Sequence, residues 1–249
     1  MRHATEHDLD GIVDVLVSAF DNDPLWGPVF PDPALRPQHA DRFWRLFASS
    51  AQRYPNTFVV DTDASRPGSG GIAAVAVWIP PGGTELSEAE GEAFEELIAE
   101  ATDAATAARV ITISHAIEDA HPSEPHHYLS WLGTHADARG SGVGMALLRQ
   151  SLELVDAEGA AAYLESSNPA NLGRYASVGF EPATEIVMST GAVVTTMGRP
   201  ARGRHRRRRL GAAAPNAAAA ATARPASSSR ARAQRPVKTS GGAAGMASA

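Results

Sequence analysis

The sequence predicts an α/β domain of the α+β kind over residues 1–200, with a mixed sheet flanked by helices, and then a tail of different character over 201–249. Three observations carry this. A strand-like segment at 127–134 runs into a glycine loop that opens an amphipathic helix at 143–158. A second strand, turn and short helix follow at 161–178. At Ala201 the composition changes abruptly: the remaining residues hold 11 of the 22 basic side chains and none of the 28 acidic ones.

Residues 2–4 fit a first short strand. Thr5 is placed to cap a helix reaching about Phe20, with Asp8 at the capping-box position and Leu9, Ile12, Val13, Leu16 and Phe20 on one face. Residues 21–37, rich in proline and aspartate, read as a long loop. A helix over 39–53 would bury Phe43, Leu46 and Phe47. Residues 57–60 and 72–79 read as neighbouring antiparallel strands joined by 63–71, and Pro80-Pro81-Gly82-Gly83 stops the second. Residues 85–118 are helical in composition and long enough for two helices. Residues 185–189 and 193–197 would form the last strand pair, giving about seven strands.

The loop Arg139-Gly140-Ser141-Gly142-Val143-Gly144 carries the first chemical signal. Amides at a helix N-terminus lack intrahelical partners, and the macrodipole there favours negative charge. Glycines at 140, 142 and 144 remove Cβ atoms that would hold a diphosphate away from those donors. The segment therefore asks for a phosphorylated ligand. It has neither the G-x-G-x-x-G spacing of a dinucleotide fold nor the Gly-Lys-Ser/Thr of a P-loop.

What Arg139, Gly142 and Gly144 do satisfy is R-x-x-G-x-G, which resembles the coenzyme-A pyrophosphate loop of the GNAT superfamily of N-acetyltransferases. Asn171, Tyr175, Gly179 and Phe180 lie one helix further on, in the order and spacing that superfamily uses. The segment 125–180, with Glu124-Pro125 before it and Leu164-Glu165-Ser166-Ser167-Asn168-Pro169-Ala170-Asn171 within it, also resembles the puromycin N-acetyltransferase-like group, as does Trp78-Ile79-Pro80-Pro81. Arg139 stands where that group has Gln, and Thr134 where an aliphatic residue is usual.

The resemblance implies a mostly antiparallel sheet splayed between its fourth and fifth strands. Acetyl-CoA would be the co-substrate. Its pantetheine arm would pair with backbone groups of Leu132, Gly133 and Thr134, as a peptide adds to a sheet edge. Its pyrophosphate would be held by Arg139, Gly140, Ser141, Gly142, Val143 and Gly144, and its pantetheine also by Asn171. Alternatives stay open at two of these: Arg139 as a solvated loop charge, and Asn171 as a helix N-cap. Tyr175 would protonate the departing thiolate, since a phenol of pKa ~10 is protonated at neutral pH. A packed aromatic with a satisfied hydroxyl is the alternative there. Glu165 would take the proton of the incoming amine, with His121, His126 and His127 as other candidates and a surface carboxylate as the plain alternative.

Residues 1–200 carry 11 basic against 28 acidic side chains, a formal −17, which would attract a small cationic amine and repel nucleic acid. The tail, with Leu210, Val237 and Met246 as its large apolar residues, is expected to be disordered. Arg206 to Arg209 could bind phosphates but lack neighbouring aromatics for base stacking, so a GNAT-fold regulatory or nucleic-acid-associated protein using that tail is the second reading. No cysteine is present, which excludes disulfides and thiolate catalysis. Without a visible signal peptide, membrane span or metal-ligand spacing, a cytoplasmic protein with no metal is expected, as a monomer or homodimer.

Overall fold

The computed structural model describes residues 1–62, 71–188 and 191–202. The chain divides into a unit over Met1–Arg206 and another over Arg207–Ala249. All but two residues of the expected tail, and most of the 63–71 connection, lie outside the described residues.

In chain order the elements are β1 (Arg2–His3), α1 (Leu9–Phe20), α2 (Arg36–Ala51), β2 (Thr57–Asp61), β3 (Ile72–Ile79), α3 (Glu88–Ala101), α4 (Ala104–Asp119), β4 (His126–Thr134), α5 (Val143–Glu158), β5 (Ala161–Ser166), α6 (Leu172–Ala176), β6 (Glu181–Val187) and β7 (Val193–Arg199). The seven strands form one sheet in the order β1-β2-β3-β4-β5-β7-β6. Every pairing is antiparallel except β4 with β5.

The two faces of this sheet bury different cores. One holds Ile12, Val13, Val15 and Leu16 of α1 with Phe43, Trp44 and Phe47 of α2 and Trp131 of β4. The other holds Leu147, Leu148, Leu152 and Val155 of α5 against Trp78, Leu129, Leu164 and Met197. β3 is buried along its whole length, as a central strand covered on both sides must be.

Two elements begin earlier than the sequence suggests, and proline explains both. α2 starts at Arg36 with Pro37 in its first turn, where a missing N–H costs nothing because that donor has no intrahelical partner. β6 starts at Glu181 and runs through Pro182, which is tolerated because β6 is the edge strand. At the chain start, Thr5 and Asp8 form the expected capping box, but the first turn over Glu6–Asp8 is a 3-10 turn. Thr5 N and Oγ1 donate to Asp8 Oδ2 at 2.7 and 2.8 Å, and Arg2 bridges Asp8 to Asp61 of β2.

The C-terminal end of the sheet is fastened by a buried ion pair. Arg199 of β7, only 3 % exposed, donates to both Asp156 oxygens at 2.7 and 2.8 Å and to the Val178 carbonyl at 3.0 Å. These bonds join α5, β7 and the turn after α6. Asp156→Ala leaves a buried guanidinium without its counter-charge and is expected to cost about 3 kcal/mol in urea unfolding. Hydrogen bonds from Arg199 hold the Asp156 carboxyl below the usual carboxylate range. The pair therefore contributes fully above the unfolded carboxylate pKa. Its contribution is lost as pH falls through the lowered folded value, so wild type and variant should converge in acid.

Candidate functional site

β4 and β5 pair at three positions, His126 with Ala161, His127 with Ala162 and Tyr128 with Tyr163, and then separate. β4 also carries a bulge at Ser130: Val77 faces Trp131, while the next β3 residue, Trp78, faces Leu129. The extra residue re-aims the strand just where it leaves β5. Trp131 then packs in the α1–α2 core, and Leu132 packs toward the α5 core.

Past this fork lies a cavity of about 640 Å³. Its lining takes in Leu132, Thr134, Arg139, Gly140, Gly142, Val143, Gly144, Glu165, Asn171 and Tyr175. Two of the expected residues are placed behind the wall. Gly133 points at α1, where an added Cβ would meet Val15, Ala19 and Leu16 at 3.1 to 3.4 Å. Ser141 turns its hydroxyl back to the Ala138 carbonyl at 2.6 Å.

The glycines of the loop have separate reasons. Gly140 and Gly142 sit at φ +79° and +80°, a region other residues enter at a cost, and an added Cβ there would meet open space. Gly142 is the N-cap of α5, so the free amides of the first turn open beside it. Gly144 permits close packing, because an added Cβ would press on Thr134 Oγ1. Arg139 uses its guanidinium to hold the C-terminal end of α1, donating to the carbonyls of Ser18 at 2.6 Å and Ala19 at 3.4 Å. That adds positive charge to a helix C-terminus and fixes the loop to α1.

On the opposite side, Asn168 caps the short 3-10 turn Pro169–Asn171 by accepting from Ala170 N at 3.0 Å. Asn171 makes no capping bond; its Oδ1 accepts from Arg174 Nη1 at 3.0 Å. Tyr175 borders the same cavity. Burial, followed by the negative charge of Asp23, pushes its phenol up to about 12.

Asp23 organises the loop over the site. Its Oδ1 accepts from the amides of Leu25 at 2.9 Å and Trp26 at 3.1 Å, and its Oδ2 from Ser167 Oγ at 2.7 Å. The Asp-Pro pair at 23–24 is an Asx-turn signal, although nothing local announces Ser167 as partner. Asp23→Ala removes the tether and leaves the Leu25 and Trp26 amides and the Ser167 hydroxyl without their acceptor, and is expected to cost about 1–3 kcal/mol. Urea unfolding of variant and wild type checks this.

Glu165 has a side chain only 6 % exposed, with His121 Nε2 at 3.1 Å from its Oε1. Burial alone would lower the His121 pKa, but the Glu165 carboxylate, helped by Glu85 and Glu118, outweighs it and the net shift is upward. The phenols of Tyr128 and Tyr163 are pushed up by burial and by the Glu165 carboxylate, with Glu85 adding to the effect at Tyr128. His127 is occupied with Glu158 at 2.8 Å, and His126 Nδ1 lies 2.7 Å from the Glu124 carbonyl oxygen. His121 and His126 lie side by side, with ring centroids 5.7 Å apart, while His127 stands apart on Glu158, and no group of three or more metal-binding side chains occurs among the described residues.

A second cavity of about 800 Å³ adjoins the first, and Trp26, Ile117, Tyr128 and Trp131 line both. Glu85, on the segment between β3 and α3, belongs to it and accepts from Ser130 Oγ at the bulge. Sequence reasoning missed Glu85, because a single carboxylate in a polar connection carries no spacing signal.

Residues 103–180 match the family model described as the acetyltransferase (GNAT) family. A solved structure from Corynebacterium glutamicum, described as histone acetyltransferase HPA2 and related acetyltransferase, is 27% identical with a TM-score of 0.57, covering 81% of this chain and 95% of that one. Arylalkylamine N-acetyltransferase 2 from Aedes aegypti is similar in fold at 15% identity and TM-score 0.56, covering 81% and 98%. An agmatine N-acetyltransferase aligns at 14% identity and TM-score 0.54, covering 79% and 96%. Residues 103–180 thus resemble the acetyltransferase (GNAT) family, and the fold is one that solved acetyltransferases share.

Proposed function

We propose that residues 1–200 form an N-acetyltransferase domain that acetylates the primary amine of a small cationic molecule, with Tyr175 as general acid and Glu165 as general base. The observation that carries this reading is that Tyr175 and Glu165 border one cavity, which starts at the glycine loop and adjoins a second, acidic cavity. The amides at the α5 N-terminus would hold the pyrophosphate of acetyl-CoA. The free edge of β4 would receive its pantetheine, with Asn171 contributing from the other wall.

Within that frame the protein's own groups divide the proton work. An ammonium must lose a proton before its nitrogen can attack, and Glu165, in the wall of the first cavity beside His121 of the second, is buried with an Oε1 that makes no hydrogen bond of good geometry. His121 lies beside it and lines the second cavity, so it offers that proton a route outward. Tyr175, protonated across the physiological range, delivers a proton to the sulfur that departs as thiolate.

Glu88, Glu95, Glu118 and Glu124 line the second cavity and no Lys or Arg does, which supports a cationic acceptor. Two solved acetyltransferases of this fold are named for amine substrates, an arylalkylamine and agmatine. The resemblance of 124–125 and 164–171 to the puromycin N-acetyltransferase-like group supports an amino-nucleoside as the first acceptor to try. The test is acetyl-CoA-dependent release of free thiol across an amine panel. Micromolar acetyl-CoA binding with turnover of at least one amine is expected; no acetyl-CoA binding would overturn the proposal.

A further inference from the structure

The second cavity has a composition that goes beyond a general preference for cations. Its inner walls are aromatic. Trp26, Phe47, Phe94 and Trp131 all line it, with ring centroids 5.3 Å apart for Phe47 and Trp131, 5.6 Å for Trp26 and Trp131 and 5.9 Å for Phe47 and Phe94. Against these walls stands one inward carboxylate, Glu85. The other carboxylates of the lining, Glu88, Glu95, Glu118 and Glu124, are exposed.

Glu85 is built in from several directions. Ser130 Oγ donates to it from the β4 bulge. Trp131, also on β4, contributes an indole Nε1 that is buried without a hydrogen bond of good geometry. Glu165 of β5 and His121, after α4, face it as a like and an opposite charge. A carboxylate kept among aromatic rings, with no Arg or Lys in the lining and its one neighbouring imidazole already engaged by Glu165, gains a direct cationic partner when an ammonium enters.

We propose that this cavity is the acceptor subsite for an amine carried on an aromatic or other flat apolar body, with Glu85 binding the ammonium and the aromatic walls taking the body. The proposal rests on the acetyltransferase reading only for placing the subsite next to the reacting centre. The rings supply apolar area and quadrupoles that also favour a nearby cation. Glu85 orients the nitrogen, while proton removal stays with Glu165.

The arrangement has a readout that a structural role for Glu85 would not give. Burial, with the Glu165 charge adding to it, pushes Glu85 up to about 7, against the opposing effect of the Ser130 hydrogen bond. The free protein thus carries a partly protonated Glu85 at neutral pH. An entering ammonium favours the ionised form, so binding expels roughly half a proton at pH 7.

The experiment is calorimetry of 2-phenylethylamine with the full chain, without acetyl-CoA, in two buffers of different ionisation enthalpy. Wild type should bind this amine more tightly than 1,4-diaminobutane and release the proton. Glu85→Gln should bind at least tenfold more weakly and release none, its folding checked by circular dichroism and melting. Should E85Q fail to fold, Ser130→Ala serves instead: with its hydrogen bond gone, the midpoint of proton release should move to higher pH. Unchanged affinity in E85Q, tighter binding of the diamine, no binding of either amine or an unmoved midpoint would overturn the proposal. Acetyl-CoA binding and turnover of other amines, measured separately, decide the acetyltransferase reading on their own.

Discussion

Tyr175→Phe is expected to lower kcat by roughly 10²- to 10³-fold, the usual worth of a positioned general acid, with acetyl-CoA affinity changed less than about twofold. The substitution removes one oxygen from a half-buried ring and leaves the packing of that ring against Phe180, with centroids 6.4 Å apart, intact. Single-turnover measurement of acetyl transfer separates this from a defect in product release. The pH profile gives a second check. With its phenol pushed up to about 12, Tyr175 stays protonated through the assay range, so wild type should show no loss of rate from its ionisation below about pH 11. A Y175F enzyme within threefold of wild type would remove Tyr175 from the proton transfer.

Gly142→Glu should weaken acetyl-CoA binding by at least about a hundredfold, combining two penalties. The residue holds φ +80° at the N-cap of α5, where an L-residue costs about 1–2 kcal/mol. A carboxylate there also sets negative charge against the pyrophosphate and occupies the favourable end of the helix dipole. Gly142→Ala separates the two, because its Cβ would enter open space. Alanine should cost only the backbone strain, visible as about 1–2 kcal/mol in unfolding, and keep most of the affinity. Calorimetry on both variants and wild type makes the comparison. Equal binding by all three would place the pyrophosphate elsewhere.

What the sequence revealed and concealed follows from the range of the interactions concerned. The glycine loop, the amphipathic face of α5 and the Asn171–Tyr175 spacing are local patterns: α5 spans Val143–Glu158 as its stripe predicts, and the loop, Asn171 and Tyr175 border one cavity. The starts of α2 and β6 were obscured because proline reads as a stop, whereas a first helical turn and a sheet edge both accept it. The partner of Arg139 is 121 residues away at Ser18, and that of Asp23 is 144 residues away at Ser167. No spacing rule reaches that far. Glu85 acquires its character from a bulge at Ser130 and from the rings around it, which only the packed sheet assembles.

The fork between β4 and β5 has a further consequence, for stability. A sheet whose interior is joined at one place through only three positions has its weakest interior seam there, between β1–β4 on one side and β5, β7 and β6 on the other. A ligand strand lying in that fork would bridge the two halves. Amides of β4 beyond Tyr128 on the open edge should therefore exchange readily with deuterium in the free protein and slow markedly once the fork is filled. Thermal resistance would rise with ligand concentration, by about 2.7 kcal/mol at a hundred times Kd, so that the intact fold is held together partly by what it binds.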